Sequence, residues 1–119
     1  IPSLGIRYRV YDGTSSASMR KGVGHFPSTS AWSGNIGLCG HNRGSSHNIG
    51  SIKNLEVGDA IRYETSLGTR TYSVSYVGII DWTDWSYLNA TSDNRITLIT
   101  CLADQPTKRV CVQGIEVSS

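Results

Sequence analysis

Long apolar runs are missing from this sequence. Its uninterrupted apolar stretches last only a few residues, and a bilayer-spanning helix needs roughly 20, so none is encoded. Charge is sparse as well. Charged residues make up 17%, the net charge is +2, and the basic side chains are scattered without a basic run, which excludes an electrostatic nucleic-acid binder. No window carries a 3.6-residue apolar stripe longer than about two turns, so long amphipathic helices are excluded too. There is no internal repeat and no low-complexity segment. No cluster of carboxylates, or of His and Cys, has ligand-like spacing, so neither a metal nor another cofactor is expected. No secretory signal is visible and the chain opens on Ile1 rather than Met. The expectation is a processed or trimmed chain whose leader or membrane anchor is absent. The 119 residues suffice for one core, so residues 1–119 are read as a single domain.

What is present points to strands. Thirteen glycines, six tyrosines and one methionine suit β structure with many turns. Period-two alternation recurs in "GIRYRVY", "GDAIRYET" and "TYSVSYVGII", with Tyr72, Val74 and Tyr76 of the last on one face. "SLG" around Gly68 reads as a hairpin connection between the last two of these. "NIGLCGH", "RITLITC" and "RVCVQGIEV" complete the strands, whereas "GVGHFPSTS" around His25 reads as a loop punctuated by Gly and Pro. "SSHNIGSIKNL" and "TDWSYLNA" each allow one or two helical turns. The expected fold is all-β, a closed or nearly closed β-barrel of about eight strands with short helical turns.

Three cysteines is an odd number, so at least one thiol lies outside any internal disulfide. A buried cysteine acting as a small apolar residue is the ordinary case. Cys101 departs from it modestly. In "RITLITC", Ile96, Leu98 and Thr100 share one face and Thr97, Ile99 and Cys101 the other, so Cys101 ends a strand on the face with less apolar bulk. A thiol nucleophile needs a base or cation nearby to become thiolate. His25 and His47 fall in polar or Gly-rich loops, whereas "NIGLCGH" delivers His41 at a strand end. Across the turn "LADQPTK", Arg109 opens the next strand. An arginine there is usually a solvated edge residue, but beside a thiol and an imidazole it is a fixed donor for a developing oxyanion.

"TLITC", the upstream Gly-His and the downstream arginine together resemble the sortase family, the cysteine transpeptidases of Gram-positive cell surfaces. The likeness runs over nearly the whole chain, from "GIRYRVYDG" through "GVGHFPSTSAWSGNIGLCGHNRG" and "IKNLEVGDAIRYETSLGTRTYSV" to "DNRITLITCLADQPTKRVCVQGIEV". It implies Cys101 as nucleophile, His41 as acid/base partner and Arg109 as the residue that positions substrate and stabilises the oxyanion. It implies cleavage of a Leu-Pro-x-Thr-Gly (LPxTG) sorting signal between Thr and Gly, and transfer to a cell-wall or pilin amine. It also implies a place at the extracytoplasmic face of the membrane, held there by the absent anchor. The family's substrate groove maps onto Trp82, Trp85, Leu88, Ile99 and Thr100. The seven-residue connection "LADQPTK" leans toward a class other than A, class D among them. Cys39 and Cys111 lie outside the catalytic pattern, as core thiols or a disulfide. Two rivals use the same residues differently: a cysteine endopeptidase resolving its acyl-enzyme with water, and a secreted β-barrel binding module with structural cysteines.

Overall fold

The structure is a computed structural model. It describes residues 1–12, 23–26, 28–30, 32–40, 49–81, 83–102 and 105–117, with backbone only at 12, 101, 102, 105 and 106. Seven strands form one sheet: β1 Val10–Asp12, β2 Val23–His25, β3 Asn35–Gly40, β4 Ala60–Thr65, β5 Gly68–Asp81, β6 Arg95–Leu102 and β7 Gln105–Glu116. Their spatial order is β1-β2-β3-β6-β7-β5-β4, and the sheet curls into a half-barrel with β1 and β4 as its edges. The all-β reading holds. The described residues give seven strands rather than about eight, in a sheet curled without a β1–β4 ladder.

Curling gives the sheet an inner and an outer face, and both are covered at its centre. Ile36, Leu38, Tyr72, Val74, Ile96, Leu98, Val110 and Val112 fill the inside together with Ile49, Ile52 and Leu55. Ile52 belongs to a short 3₁₀ turn, Gly50–Asn54, in the stretch expected to be helical. On the outside a smaller cluster of Ile80, Ile99 and Cys111 packs against Tyr76, Tyr87 and Leu88. The last two come from a second 3₁₀ turn, Ser86–Leu88, again where one was expected. This double cover explains why β6 alternates only weakly in sequence: residues on both of its faces are buried.

The β4–β5 hairpin forms as read, Thr65 pairing with Gly68. Gly68 takes φ 135, a backbone conformation that side chains rarely adopt.

Three expectations are corrected. In "GIRYRVY" only the end enters the sheet, as β1, and residues 6–9 lie outside the ladder. "GVGHFPSTS" is not all loop, because Val23–His25 forms β2 between β1 and β3 and is fully buried. Pairing on both sides stabilises a three-residue strand that its own propensity would not. Tyr76 does not share the face of Tyr72 and Val74. A bulge between Val74 and Tyr76 shifts the β5–β7 register, so Tyr76 turns to the outer cluster.

Candidate active site

The hairpin of β6 and β7 brings the first two expected site residues together. Its strands are antiparallel, and Cys101 and Arg109 are direct Cα partners. The register then slips, Leu102 pairing with Gln105, so the bulge adds its extra residues on the Arg109 side of the turn. β5 flanks the pair, Ile80 opposite Arg109 and Asp81 opposite Lys108. Arg109 is half-buried, and its Nη1 donates to Lys108 O at 2.9 Å. The expectation that Arg109 opens this strand is corrected, because β6 runs on to Leu102 and β7 already begins at Gln105. Lys108, a second cation in β7 that the sequence reading passed over, is ion-paired with Asp81.

His41 lies outside the described residues, as do His47 and Trp82. The strand that leads to His41 is described up to Gly40. β3 runs parallel to β6 in unbroken register from Asn35↔Arg95 to Gly40↔Thr100. The chains leaving that final pair continue directly into His41 and Cys101.

His25 is a structural histidine, buried in β2. Its Nε2 lies 2.8 Å from Ser30 O, which can only accept, so Nε2 carries the proton. Thr29 Oγ1 sits 3.2 Å from the same nitrogen and donates its own proton to Phe26 O at 2.7 Å.

The expected groove residues divide. Ile99 and Leu88 meet in the outer cluster. Leu88 presses onto Gly37, where an added Cβ would come within 2.7 Å of the Leu88 side chain. Trp85 is exposed and makes an edge-to-face contact with Phe26, centroids 6.1 Å apart. Thr100 is elsewhere. It alternates with Ile96 and Leu98, pairs with Val110 of the inner core, and is 2% exposed.

Sequence reasoning missed what holds residues 86–88 down. Tyr87 O accepts from Asn35 Nδ2 at 2.8 Å and from Gln113 Nε2 at 3.1 Å. Thr97 Oγ1 donates to Asn35 Oδ1 at 2.7 Å and accepts from Gln113 Nε2 at 3.1 Å. Arg95 Nη1 fixes the other end of the Gln113 amide through Oε1 at 3.2 Å. Tyr76 stacks on Tyr87 with centroids 5.3 Å apart, and its ring lies where a Cβ on Gly78 would be. The hydrogen bond to Tyr87 and burial push the Tyr76 phenol up to about 12.

The remaining cysteines are buried thiols, not a disulfide. Cys39 and Cys111 occupy one cross-strand row with Ile99 between them. Two strand spacings of about 4.8 Å put their Cα atoms beyond the roughly 7 Å that a disulfide spans. Burial, with a smaller contribution from Asp84, pushes the Cys111 thiol up to about 12, which keeps it protonated and inert near neutrality. Among the described residues no group of three His, Cys, Asp or Glu could hold a metal ion.

Residues 1–117 match the family model for the Sortase domain. The chain belongs to the sortase family. It is 34% identical over 110 residues to Sortase A of Listeria monocytogenes serovar 1/2a, covering 91% of this chain and 49% of that protein. The chain thus spans about half the length of that curated relative. Sortase C-1 of Actinomyces oris superposes with a TM-score of 0.92 at 28% identity, over 100% of this chain and 70% of that one. Sortase C1 of Streptococcus agalactiae superposes with a TM-score of 0.92 at 27% identity, over 100% and 65%. These names span classes A and C, so the lean toward class D rests on the short turn alone. Family membership and these superpositions establish the sortase fold.

Proposed function

We propose that residues 1–119 form one sortase catalytic domain that cleaves an LPxTG-type sorting signal between Thr and Gly and passes the acyl group to an amine. The observation that carries this reading is the Cys101↔Arg109 register at the tip of β6–β7, in a chain of the sortase family. In the proposed cycle the Cys101 thiolate attacks the Thr carbonyl carbon. The carbonyl oxygen becomes an oxyanion facing the planar fork of the Arg109 guanidinium. Collapse breaks the Thr–Gly bond, and imidazolium His41 gives its proton to the departing glycine amine, leaving a thioester on Cys101. Neutral His41 then takes a proton from the incoming amine as it attacks the thioester, and the thiolate is released.

The proposed partners are sorting-signal proteins and an amine on a peptidoglycan precursor or pilin. The proposed place of action is the outer face of a Gram-positive membrane. Among the described residues no helix is long and apolar enough to cross a membrane. Ile99 and Leu88 of the outer cluster, with the exposed Trp85, are proposed as groove residues. Trp82 keeps that role from the family resemblance alone.

The test is cleavage of fluorogenic sorting peptides with and without amine acceptors. Amine-dependent formation of a ligated product supports a transpeptidase. Cleavage giving only the free acid at every amine concentration would make the chain an endopeptidase.

A further inference from the structure

We propose that Thr100 is a positioning residue for His41, acting from the inner face of the sheet through the Gly40 carbonyl. The inference rests on the sortase reading and assigns Thr100 a different task from contact with the sorting signal. Its hydroxyl donates to Gly40 O at 2.8 Å in a fully buried bond. These two residues are also the last described pair of β3 and β6. The bond therefore ties the two strands together one residue before each reacting group.

Gly40 is held from a second side. An added Cβ would lie 2.9 Å from Ile49 Cγ1 and 3.2 Å from its Cδ1, and Ile49 is itself 2% exposed in the inner core. Ile49 thus fills the space that a side chain at position 40 would need, which accounts for the glycine. One contact fixes Gly40 through its oxygen and the other through its Cα.

The lever is the peptide bond. Gly40 C=O and His41 N–H belong to one planar unit, so fixing that oxygen fixes the plane from which His41 departs. Cys101 follows Thr100 by the same covalent step on the neighbouring strand. On this proposal the separation of imidazole and thiol depends on this cross-link between the strands that carry them. Small errors in such separations are costly, since a shift of about 1 Å can lower a rate about 10²-fold.

Thr100→Val keeps the shape and removes the hydroxyl, whereas Thr100→Ser keeps the hydroxyl. Steady-state kinetics use the full chain and the sorting peptide that the wild type cleaves best, alongside thermal unfolding. Thr100→Val is expected to lose about 10–100-fold in kcat, with KM within about two-fold of wild type. Thr100→Ser is expected to return to within about three-fold of the wild-type kcat, because the donor is restored. A Thr100→Val enzyme with wild-type kcat, or a Thr100→Ser enzyme as slow as it, overturns the proposal. Should Thr100→Val fail to fold, Gly40→Ala must lower kcat and Ile49→Ala added to it must restore part. No recovery in that pair overturns the proposal as well. A wild type that cleaves no peptide, or a Cys101→Ala variant as fast as wild type, overturns the sortase chemistry itself. An active wild type with an unaffected Thr100→Val overturns the role of Thr100 alone.

Discussion

At its open end the β6–β7 hairpin is bound by charges committed to structure; at its tip the same two strands set Cys101 opposite a half-exposed arginine. Arg95, at the open end, grips Asp93 with two bonds of 3.0 and 2.6 Å and also holds Gln113. Arg70 lies 4.1 Å over the Trp32 ring, donates to Trp32 O at 2.6 Å and pairs with Glu116 at 3.3 Å. Asn94 links Glu116 to the backbone of Gly34. Arg70 thus ties β5 to Trp32 and Glu116, and Arg95 ties Asp93 to Gln113 of β7. At the tip, Lys108 is drawn to Asp81 while Arg109 stands in register with Cys101. Arg95 opens β6 whereas Arg109 lies within β7, and the role proposed for Arg109 follows from its register partner. Arg95 faces Ile115 across the ladder, a residue with no chemistry to offer.

The comparison can be broken from either end. The largest effect is expected from Cys101→Ala, which should abolish peptide cleavage while leaving the unfolding midpoint close to wild type. Cys39→Ala and Cys111→Ala should keep most activity, as buried thiols away from the tip. Next comes Arg109→Ala, with about 10²–10³-fold lost, mainly in kcat, because the donor matters most when the oxyanion forms. Arg109→Lys should recover only part of that rate, lacking the planar fork. A Gln113→Leu substitution should leave the chemistry and cost stability instead. It removes the Gln113 donor from Tyr87 O and Thr97, both of which keep Asn35, so about 0.5–1.5 kcal/mol per lost bond is expected, read as a lower urea midpoint.

The smallest effect is at the open end. The bonds from Arg95 hold the Asp93 carboxyl below the usual carboxylate range. A folded value below the unfolded one gives stability that is present above about pH 4 and lost as pH falls through the folded value. Asp93→Asn should therefore flatten the acid limb of stability against pH without changing the rate of cleavage near neutrality. The change stays small because the pair is partly exposed. Urea unfolding at pH 7 and pH 3 checks it.

Much of this was legible in the sequence, and the exceptions have physical causes. The β6–β7 pairing follows from two alternating segments joined by a short polar turn, which leaves antiparallel neighbours as the simple arrangement. Alternation likewise assigned Thr100 to the face of Ile96 and Leu98, whereas family resemblance assigned it to the groove. The structure agrees with alternation on where Thr100 lies. β2 was missed because its three residues draw stability from two neighbouring strands rather than from their own pattern. The turning of Tyr76 was missed because the alternation "YSVSY" continues unbroken through the bulge. The anchoring of Tyr87 O depends on Asn35 and Gln113, far away in the chain, and no local motif marks such a contact. His41, by contrast, was placed at the end of a strand, and the described part of that strand ends one residue before it.

The central claim is that the acyl group passes through Cys101 at the hairpin tip. The sequence allows that to be read directly, because trypsin leaves each cysteine on a separate peptide. Cys39 falls in 22–43, Cys101 in 96–108 and Cys111 in 110–119. Incubating the protein with a sorting peptide and no added amine, quenching in acid and mapping the digest by mass spectrometry locates the thioester. The expected result is an acyl mass on 96–108 alone, absent from Cys101→Ala and discharged when an amine is added before the quench. An acyl mass on 22–43 or 110–119, or product formed by Cys101→Ala, would contradict the account.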